Sequence, residues 1–271
     1  MKKIALIARD TADSPNMAAN DAAILERIAT ELQQRGTEVI YISEEHEIPH
    51  DTDAICTMSR TAGSIELLKQ AEAEGITVIN PTAAVENCSR IRFMEILREN
   101  NIPQPQFRAV NSANELDNAI FPCWIKKSKG WSNHSNDVTF ATTMQEASAA
   151  IQEMNSRGIT GHIQMLHCPG DIIKFYGIGN HFFHHCYPVG GKFGKEEING
   201  VPKHYVFSSD RLKDIAQRAA QAIGVDIYGG DAIITPQGEI LIIDMNDFPS
   251  FTAIRDIAAR EIATLIIDKL R

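Results

Sequence analysis

Residues 229–246 carry the sequence Gly229-Gly230-Asp231-Ala232-Ile233-Ile234-Thr235-Pro236-Gln237-Gly238-Glu239-Ile240-Leu241-Ile242-Ile243-Asp244-Met245-Asn246. Two apolar runs flank a short turn, which is the pattern of a β-hairpin. Asp244 and Asn246 are two residues apart on one strand, so both side chains point from the same face. Folding about Gln237 and Gly238 brings Asp231 opposite Asp244, within one residue of register.

This hairpin predicts a cation site. Asp231, Asp244 and Asn246 converge within an apolar sheet, where like charges repel unless a cation lies between them. All-oxygen ligands suit Mg²⁺, which also takes phosphate oxygens and water, and Mn²⁺ stays an alternative. The competing interpretation is a hairpin with ordinary polar surface positions. The aliphatic residues around both acids favour the metal site.

The composition excludes several classes of protein. The chain has 271 residues, 44% of them hydrophobic, and a formal net charge of −9, which argues against a nucleic-acid partner. No apolar run approaches the roughly 18 to 20 residues that cross a bilayer, so no membrane association is expected. The five cysteines are odd in number and include no Cys-x-x-Cys pair, which indicates reduced thiols and a cytoplasmic protein.

The first part of the chain alternates strand and helix patterns. Such alternation predicts a parallel sheet, and this lobe is Rossmann-like although it has no Gly-x-Gly-x-x-Gly motif. Prolines in Ile102-Pro103-Gln104-Pro105 end a following helix. The predicted elements are strands Lys3–Ala8, Glu38–Ile42, Asp53–Met58 and Ile76–Ile79, and helices Ala18–Gln34, Ser64–Glu74 and Arg90–Glu99.

The rest of the chain predicts two further lobes of mixed helix and strand. The fold class is therefore α/β and α+β, with lobes at residues 1–84, 85–167 and 168–271. The predicted strands here are Cys123–Lys127, Asp137–Ala141, His162–Leu166, Asp171–Gly177 and His181–Tyr187, followed by the hairpin. The predicted helices are Met144–Arg157, Asp210–Ile223 and Ala253–Lys269.

The acidic hairpin, followed by Phe248-Pro249-Ser250, resembles the terminal motif of the ATP-grasp superfamily. The first lobe is similar to the pre-ATP-grasp domain of that family, and residues 121–126 resemble the strand with its phosphate-binding lysine. The family usually has lysine where this chain has Arg90. The resemblance implies an ATP site formed by Arg90, Lys126, Ser132, Gln164, Met165, Leu166, Asp171 and Lys174.

The resemblance also implies a chemistry. Mg-ATP is held by Asp231, Asp244 and Asn246, with Lys174, Asp231 and Asp244 as catalytic residues. The segment Gly170–Lys174 is similar to the ribosomal-modification and lysine-biosynthesis ligases, which join a carboxylate to an amine or thiol through an acyl phosphate. The ending Asp244-Met245-Asn246 is similar to the corresponding motif of the inositol phosphate kinases. A ligase is preferred, a kinase is the alternative, and a non-catalytic nucleotide-binding protein is disfavoured.

The acceptor is expected to be a small molecule or a peptide. It should lie at the glycine-rich stretch Gly190–Gly200, where Lys192 and Lys195 form a substrate loop, and at Asp10–Asn20 of the first lobe. Lys192, Lys195, Lys203 and Arg255 could instead serve an inositol phosphate. The sequence leaves a homodimer open.

A histidine cluster has two interpretations. His181, His184, His185 and Cys186 could suggest zinc, but their spacing fits no common ligand pattern and alternation sends His184 and His185 to opposite faces. A structural role is favoured. His167 is balanced between a ligand contact near the hinge and a plain loop residue.

Overall fold

The computed structural model describes residues 1–12, 17–43, 47–129, 134–188 and 198–271. Twelve strands in these ranges form three four-stranded sheets. The strands are β1 Lys3–Ile7, β2 Glu38–Ile42, β3 Ala54–Thr57, β4 Thr77–Ile79, β5 Phe107–Val110, β6 Cys123–Lys127, β7 Val138–Ala141, β8 His162–Leu166, β9 Asp171–Ile178, β10 Phe182–Cys186, β11 Ile227–Ile234 and β12 Ile240–Asp247. The helices of at least six residues are α1 Ala18–Gln34, α2 Ala62–Ala73, α3 Thr82–Asn87, α4 Arg90–Glu99, α5 Met144–Ser156, α6 Ser209–Ile223 and α7 Arg255–Lys269.

The first sheet is parallel and has the order β2-β1-β3-β4. Its central strands are apolar and buried because helices lie against them, as the alternation of strands and helices predicts. The carboxyl ends of β1 and β3 lead into Arg9 and Arg60. This edge faces the end of β12.

The second sheet is antiparallel, with the order β5-β8-β6-β7. One of its faces packs on α5, which begins with a capping box at Thr143 and Glu146. The sequence analysis missed β5, since its four residues are half exposed and show no clear alternation. It also missed the short helix α3 after Pro81.

The third sheet is antiparallel, with the order β10-β9-β11-β12. The amphipathic helix α6 covers one face of it, begins at the N-cap Ser208 and ends at Gly224 with a φ of 92°. Its opposite face turns toward the second sheet and forms the floor of a cleft.

The hydrophobic cores do not follow the order of the chain. The C-terminal helix α7 packs beside α1, and Ile262 and Ile266 share a core with Ile4, Leu6 and other residues of the first lobe. Residues of the predicted first and third lobes therefore share one hydrophobic core. None of the helices in the described ranges combines the length and the apolar character needed to cross a bilayer.

Candidate active site

The hairpin of β11 and β12 brings the two acids together. Asp231 pairs with Asp244 across the strands, as the sequence predicts. A β-bulge beside Asp231 creates this pairing, because the register nearer the turn pairs Ile234 with Ile240 and would otherwise place Ile243 opposite Asp231. One inserted residue therefore brings the two acids of the predicted metal site opposite each other.

Glycine makes this bulge sterically feasible. A Cβ at Gly230 would lie 2.3 Å from the Asp244 backbone oxygen and 2.4 Å from Cζ of Phe175. Real Cβ atoms do not approach other atoms so closely, so a larger residue would force the two strands apart at the acids.

A row of four side chains crosses the whole third sheet at this level. Cys186 of β10 pairs with Lys174 of β9, Lys174 with Asp231 of β11, and Asp231 with Asp244 of β12. Cross-strand partners point to the same face, so the four side chains are neighbours on the cleft side. We refer to Cys186, Lys174, Asp231 and Asp244 as the charged row.

Lys174 and Asp231 form an ion pair within the charged row. The Lys174 Nζ lies 3.0 Å from Oδ1 of Asp231, and the Asp231 side chain is largely buried. The Asp231 carboxylate raises the pKa of Lys174 above its ordinary value, while burial opposes this shift. Lys174 is therefore a permanent cation beside the acids at neutral pH.

The oxygen ligands of the hairpin fit a hard divalent cation. Asp231 and Asp244 supply carboxylates, and Asn246 lies two residues beyond Asp244 on the same strand face. Among the described residues, no three His, Cys, Asp or Glu side chains form a metal cluster of their own. A cation on this set would thus need further oxygens, and the phosphates of a nucleotide are suited to supply them.

Two cations approach the charged row from the second sheet and from α4. Lys126 of β6 is 3% exposed and its Nζ lies 3.5 Å from the sulfur of Met165. Arg90, the first residue of α4, donates to the backbone oxygen of Lys127 at 2.8 Å. Burial lowers the pKa of Arg90, and the nearby Asp244 carboxylate opposes that shift. The guanidinium remains charged, and both cations are placed to meet phosphate oxygens.

An apolar cleft opens beside these cations. It lies between the second and third sheets. Met165 and Leu166 of the predicted ATP site line it. The full lining is Pro105, Trp124, Lys126, Met165, Leu166, His167, Cys168, Asn199, Ile233 and Ile243.

His167 takes part in the lining of this cleft. Its Nδ1 accepts a hydrogen bond of 3.2 Å from the Trp124 indole, which assigns the proton of the neutral ring to Nε2. Burial lowers the pKa of His167, so the neutral form prevails at pH 7. The structure places His167 in the cleft wall, and both interpretations of its role stay predictions.

Two predicted ATP-site side chains have other partners. The buried Gln164 amide donates to the backbone oxygens of Asp117 and Ile120, on the far side of β8 from Met165. Both carboxylate oxygens of Asp171 accept backbone N–H groups, from Lys203 at 2.7 Å and from Tyr205 at 2.8 Å. The structure thus gives Gln164 and Asp171 architectural contacts that motif order alone does not reveal.

Several predicted residues lie outside the described ranges. They are Ser132 in the phosphate-covering turn and Lys192 and Lys195 in the substrate loop. The stretch Gly190–Gly200 is described only from residue 198 onward, and Asp10–Asn20 only at 10–12 and 17–20. Their roles stay predictions.

The histidine cluster divides between the two faces of β10, as predicted. His184 pairs with Tyr176 on the cleft side and its ring stacks on the Tyr176 ring, with centroids 6.4 Å apart. His185 lies on the other side, where Nε2 is 2.9 Å from Oγ of Ser209. His181 is 3.2 Å from Glu261 of α7. The three histidines thus have different partners on different elements.

Sequence reasoning missed two arginines of the first lobe. Arg60 forms a buried ion pair with Asp247, at 3.0 Å from Nε to Oδ1, and also donates to the Asp247 backbone oxygen at 2.9 Å. Arg9 donates to the backbone oxygen of Phe248 at 2.6 Å. Both fix the chain directly after Asn246. No local sequence pattern predicts these contacts, because the partners are distant in sequence.

Comparison with known proteins identifies proteins of similar sequence and similar structure. No protein-family model matches the chain. The chain is 24% identical over 220 residues to "Probable alpha-L-glutamate ligase 2" of Hahella chejuensis, covering 78% of this chain and 71% of that protein. It is also 24% identical over 213 residues to the ribosomal protein bS6–L-glutamate ligase of Salmonella newport, covering 74% and 69%.

Solved structures agree on the fold. The D-alanine–D-alanine ligase of Bacillus anthracis complexed with ATP superposes with a TM-score of 0.74 at 12% identity, covering 100% of this chain and 97% of that one. The RimK domain ATP-grasp protein of Sphaerobacter thermophilus gives a TM-score of 0.71 at 17% identity, covering 98% and 99%. The ATP-grasp fold that the resemblance implies is confirmed. The two curated relatives and the D-alanine–D-alanine ligase are named as ligases, which favours the ligase prediction over the kinase alternative.

Proposed function

We propose that this chain, an ATP-grasp protein by its fold, is an Mg-ATP-dependent ligase that joins a carboxylate to an amine through an acyl phosphate. One observation carries the proposal: the charged row and the cations Lys126 and Arg90 converge from three parts of the chain beside an apolar cleft. The similarity to glutamate ligases supports the choice of reaction.

The apolar end of the cleft would hold the nucleotide base. Ile233 and Ile243 on one side and Met165 on the other offer apolar contact to a flat ring, which aromatic heterocycles favour. The triphosphate would then extend along β11 toward the charged row, since Asp231 is two residues from Ile233 on the same face. Lys126 and Arg90 would neutralise its oxygens from above.

The phosphoryl transfer would depend on charge and position. When bound to Asp231, Asp244 and Asn246, Mg²⁺ would supply charge neutralisation at the β- and γ-phosphates. Lys174, held by Asp231, would contribute a fixed ammonium next to the oxygens that gain charge. The carboxylate substrate would attack the γ-phosphorus in line, and the resulting acyl phosphate would react with the amine.

The proposed acceptor is a small molecule or a peptide, with glutamate as the first amine to test because the named relatives are glutamate ligases. The cytoplasm is the proposed location, because all five cysteines are free thiols.

A hydroxylamine trap tests this proposal. The protein is incubated with Mg-ATP, hydroxylamine and a pool of carboxylates that includes peptides ending in glutamate. A ligase converts the acyl phosphate to a hydroxamate and releases ADP and phosphate in equal amounts. A parallel incubation with inositol phosphates and no carboxylate tests the kinase alternative. A phosphorylated inositol together with no hydroxamate would overturn the ligase proposal.

A further inference from the structure

A second row of side chains lies next to the charged row on the cleft face of the third sheet. Each member is two residues along its strand from a member of the charged row, a step of about 7 Å. The register pairs His184 with Tyr176, Tyr176 with Gly229, and Gly229 with Asn246. We refer to His184, Tyr176, Gly229 and Asn246 as the second row.

The loop after β12 covers the middle of the second row. A Cβ at Gly229 would lie 2.8 Å from Cγ of Pro249 and 3.2 Å from Cδ1 of Tyr176, so both rings rest where a side chain would stand. The ring of Phe251 lies 5.5 Å from that of Tyr176. The loop leaves the β10 end of the second row uncovered, where Tyr176 and His184 lie beside Lys174 and Cys186 of the charged row.

The His184 ring is oriented by a neighbouring aromatic ring and is partly exposed to solvent. It stacks on Tyr176 with an angle of 24° between the ring planes, and its residue is partly exposed. The nearest titratable groups on the same face are Tyr176 and Lys174 of β9 and Cys186 of its own strand, and Asp231 and Asp244 lie beyond Lys174 in the charged row. His184 is therefore an oriented imidazole diagonal to Lys174, the cation that the proposed function places beside the transferred phosphoryl group.

The second half of a ligation needs a proton acceptor. An amine is largely protonated at neutral pH and then has no lone pair for attack. Imidazole is the side chain that most often accepts such protons. The cations Lys126, Arg90 and Lys174 cannot do so in their charged forms, and the acids of the charged row are committed to the metal and to Lys174.

We propose that His184 is the catalytic base for the amine, an inference that rests on the proposed ligase function. One proton of the ammonium passes to the imidazole, and the freed lone pair forms the C–N bond with the acyl phosphate carbon. The bond from that carbon to the phosphate oxygen breaks with its electron pair, and phosphate leaves with the second proton. Protonated His184 returns its proton to water. Tyr176 is the positioning residue that fixes the ring.

The test separates the two halves of the reaction. His184→Gln is compared with wild type using hydroxylamine, which is unprotonated at neutral pH, and using the standard amino acids including glutamate as amines. The carboxylate is the one that the wild type converts to a hydroxamate. We expect hydroxamate formation to stay close to wild type and the amino-acid-dependent rate to fall about 10²-fold or more. Raising the pH should restore part of the lost rate, because the amine then loses its proton unaided.

His185→Gln is the matched control. This neighbour lies on the opposite face against Ser209, so both rates should stay close to wild type. Equal losses with hydroxylamine and amino acids in His184→Gln would indicate a structural role and overturn the proposal, and so would an unchanged amino-acid rate. If the wild type gives no hydroxamate with any carboxylate, the ligase function itself fails, and this inference fails with it.

Discussion

The buried ion pair of Arg60 and Asp247 gives the sharpest prediction about stability. It joins the first lobe to the end of β12, and the two side chains are only 5% and 1% exposed. The exposed pair of Arg27 and Asp256 joins α1 to α7, with side chains 46% and 72% exposed. The same residue types thus connect the same parts of the chain in two different environments.

Replacing one partner should therefore have very different consequences at the two sites. Asp247→Asn keeps the size of the side chain but leaves the Arg60 guanidinium buried without its countercharge, which typically costs about 3 to 5 kcal/mol. For a chain of this length that corresponds to a fall in Tm of roughly 10 °C. Asp256→Asn should shift the Tm by no more than about 2 °C, because water solvates the remaining charge.

The assay is thermal unfolding followed by circular dichroism at constant pH and salt. A double variant, Arg60→Met with Asp247→Leu, should recover much of the loss, since it removes both charges and keeps apolar volume. If Asp247→Asn shifts the Tm no more than Asp256→Asn does, burial does not strengthen this ion pair and the reasoning is refuted.

Three further perturbations follow from the site. Asp244→Asn should abolish turnover while the protein stays folded, because one of the two carboxylates that face the proposed cation is lost, and wild-type turnover at ordinary Mg²⁺ would contradict the metal assignment. Lys126→Ala should raise the KM for ATP about 10- to 150-fold, because it removes a charge-assisted contact worth about 1.5 to 3 kcal/mol. Lys127→Ala should change this KM little. The reverse result would mean that Lys127 faces the cleft. Burial lowers the pKa of His162 in the folded protein. As the pH falls below 6.5, the unfolded state therefore binds a proton before the folded state does, and the free energy of unfolding decreases. Urea unfolding at pH 7 and pH 5 should show a smaller decrease of this free energy in His162→Gln than in wild type, and an equal decrease would argue against this cause.

Patterns among residues close together in the sequence predicted much of the fold. Strands and helices with strong periodicity, such as Cys123–Lys127 and Ala18–Gln34, lie where the sequence predicts them. The phase of β6 turns Lys126 inward, and the hairpin brings Asp231 opposite Asp244. These features depend on residues close together in the chain, whose relative geometry is set by the repeat of a strand or helix.

The partners of buried polar side chains could not be predicted from local patterns. Gln164 and Asp171 belong to the predicted ATP-binding set, yet they satisfy backbone groups of Asp117, Lys203 and Tyr205. A motif gives the position of a residue but not the competing polar groups that burial brings to it. Buried backbone groups need partners, and the nearest side chain provides them.

Alternation, turns and spacing along the chain were enough to predict the strands and helices of the first lobe and the acidic hairpin, and the ATP-grasp architecture followed from the resemblance of these motifs to that superfamily. Only the tertiary structure decided that Arg60 meets Asp247, 187 residues away, and that His184 stands beside the charged row on Tyr176. Such contacts depend on how separate elements pack and on strand register. A shift of one residue turns every side chain of a strand to the other face, so these neighbours are fixed by the packing of the whole molecule.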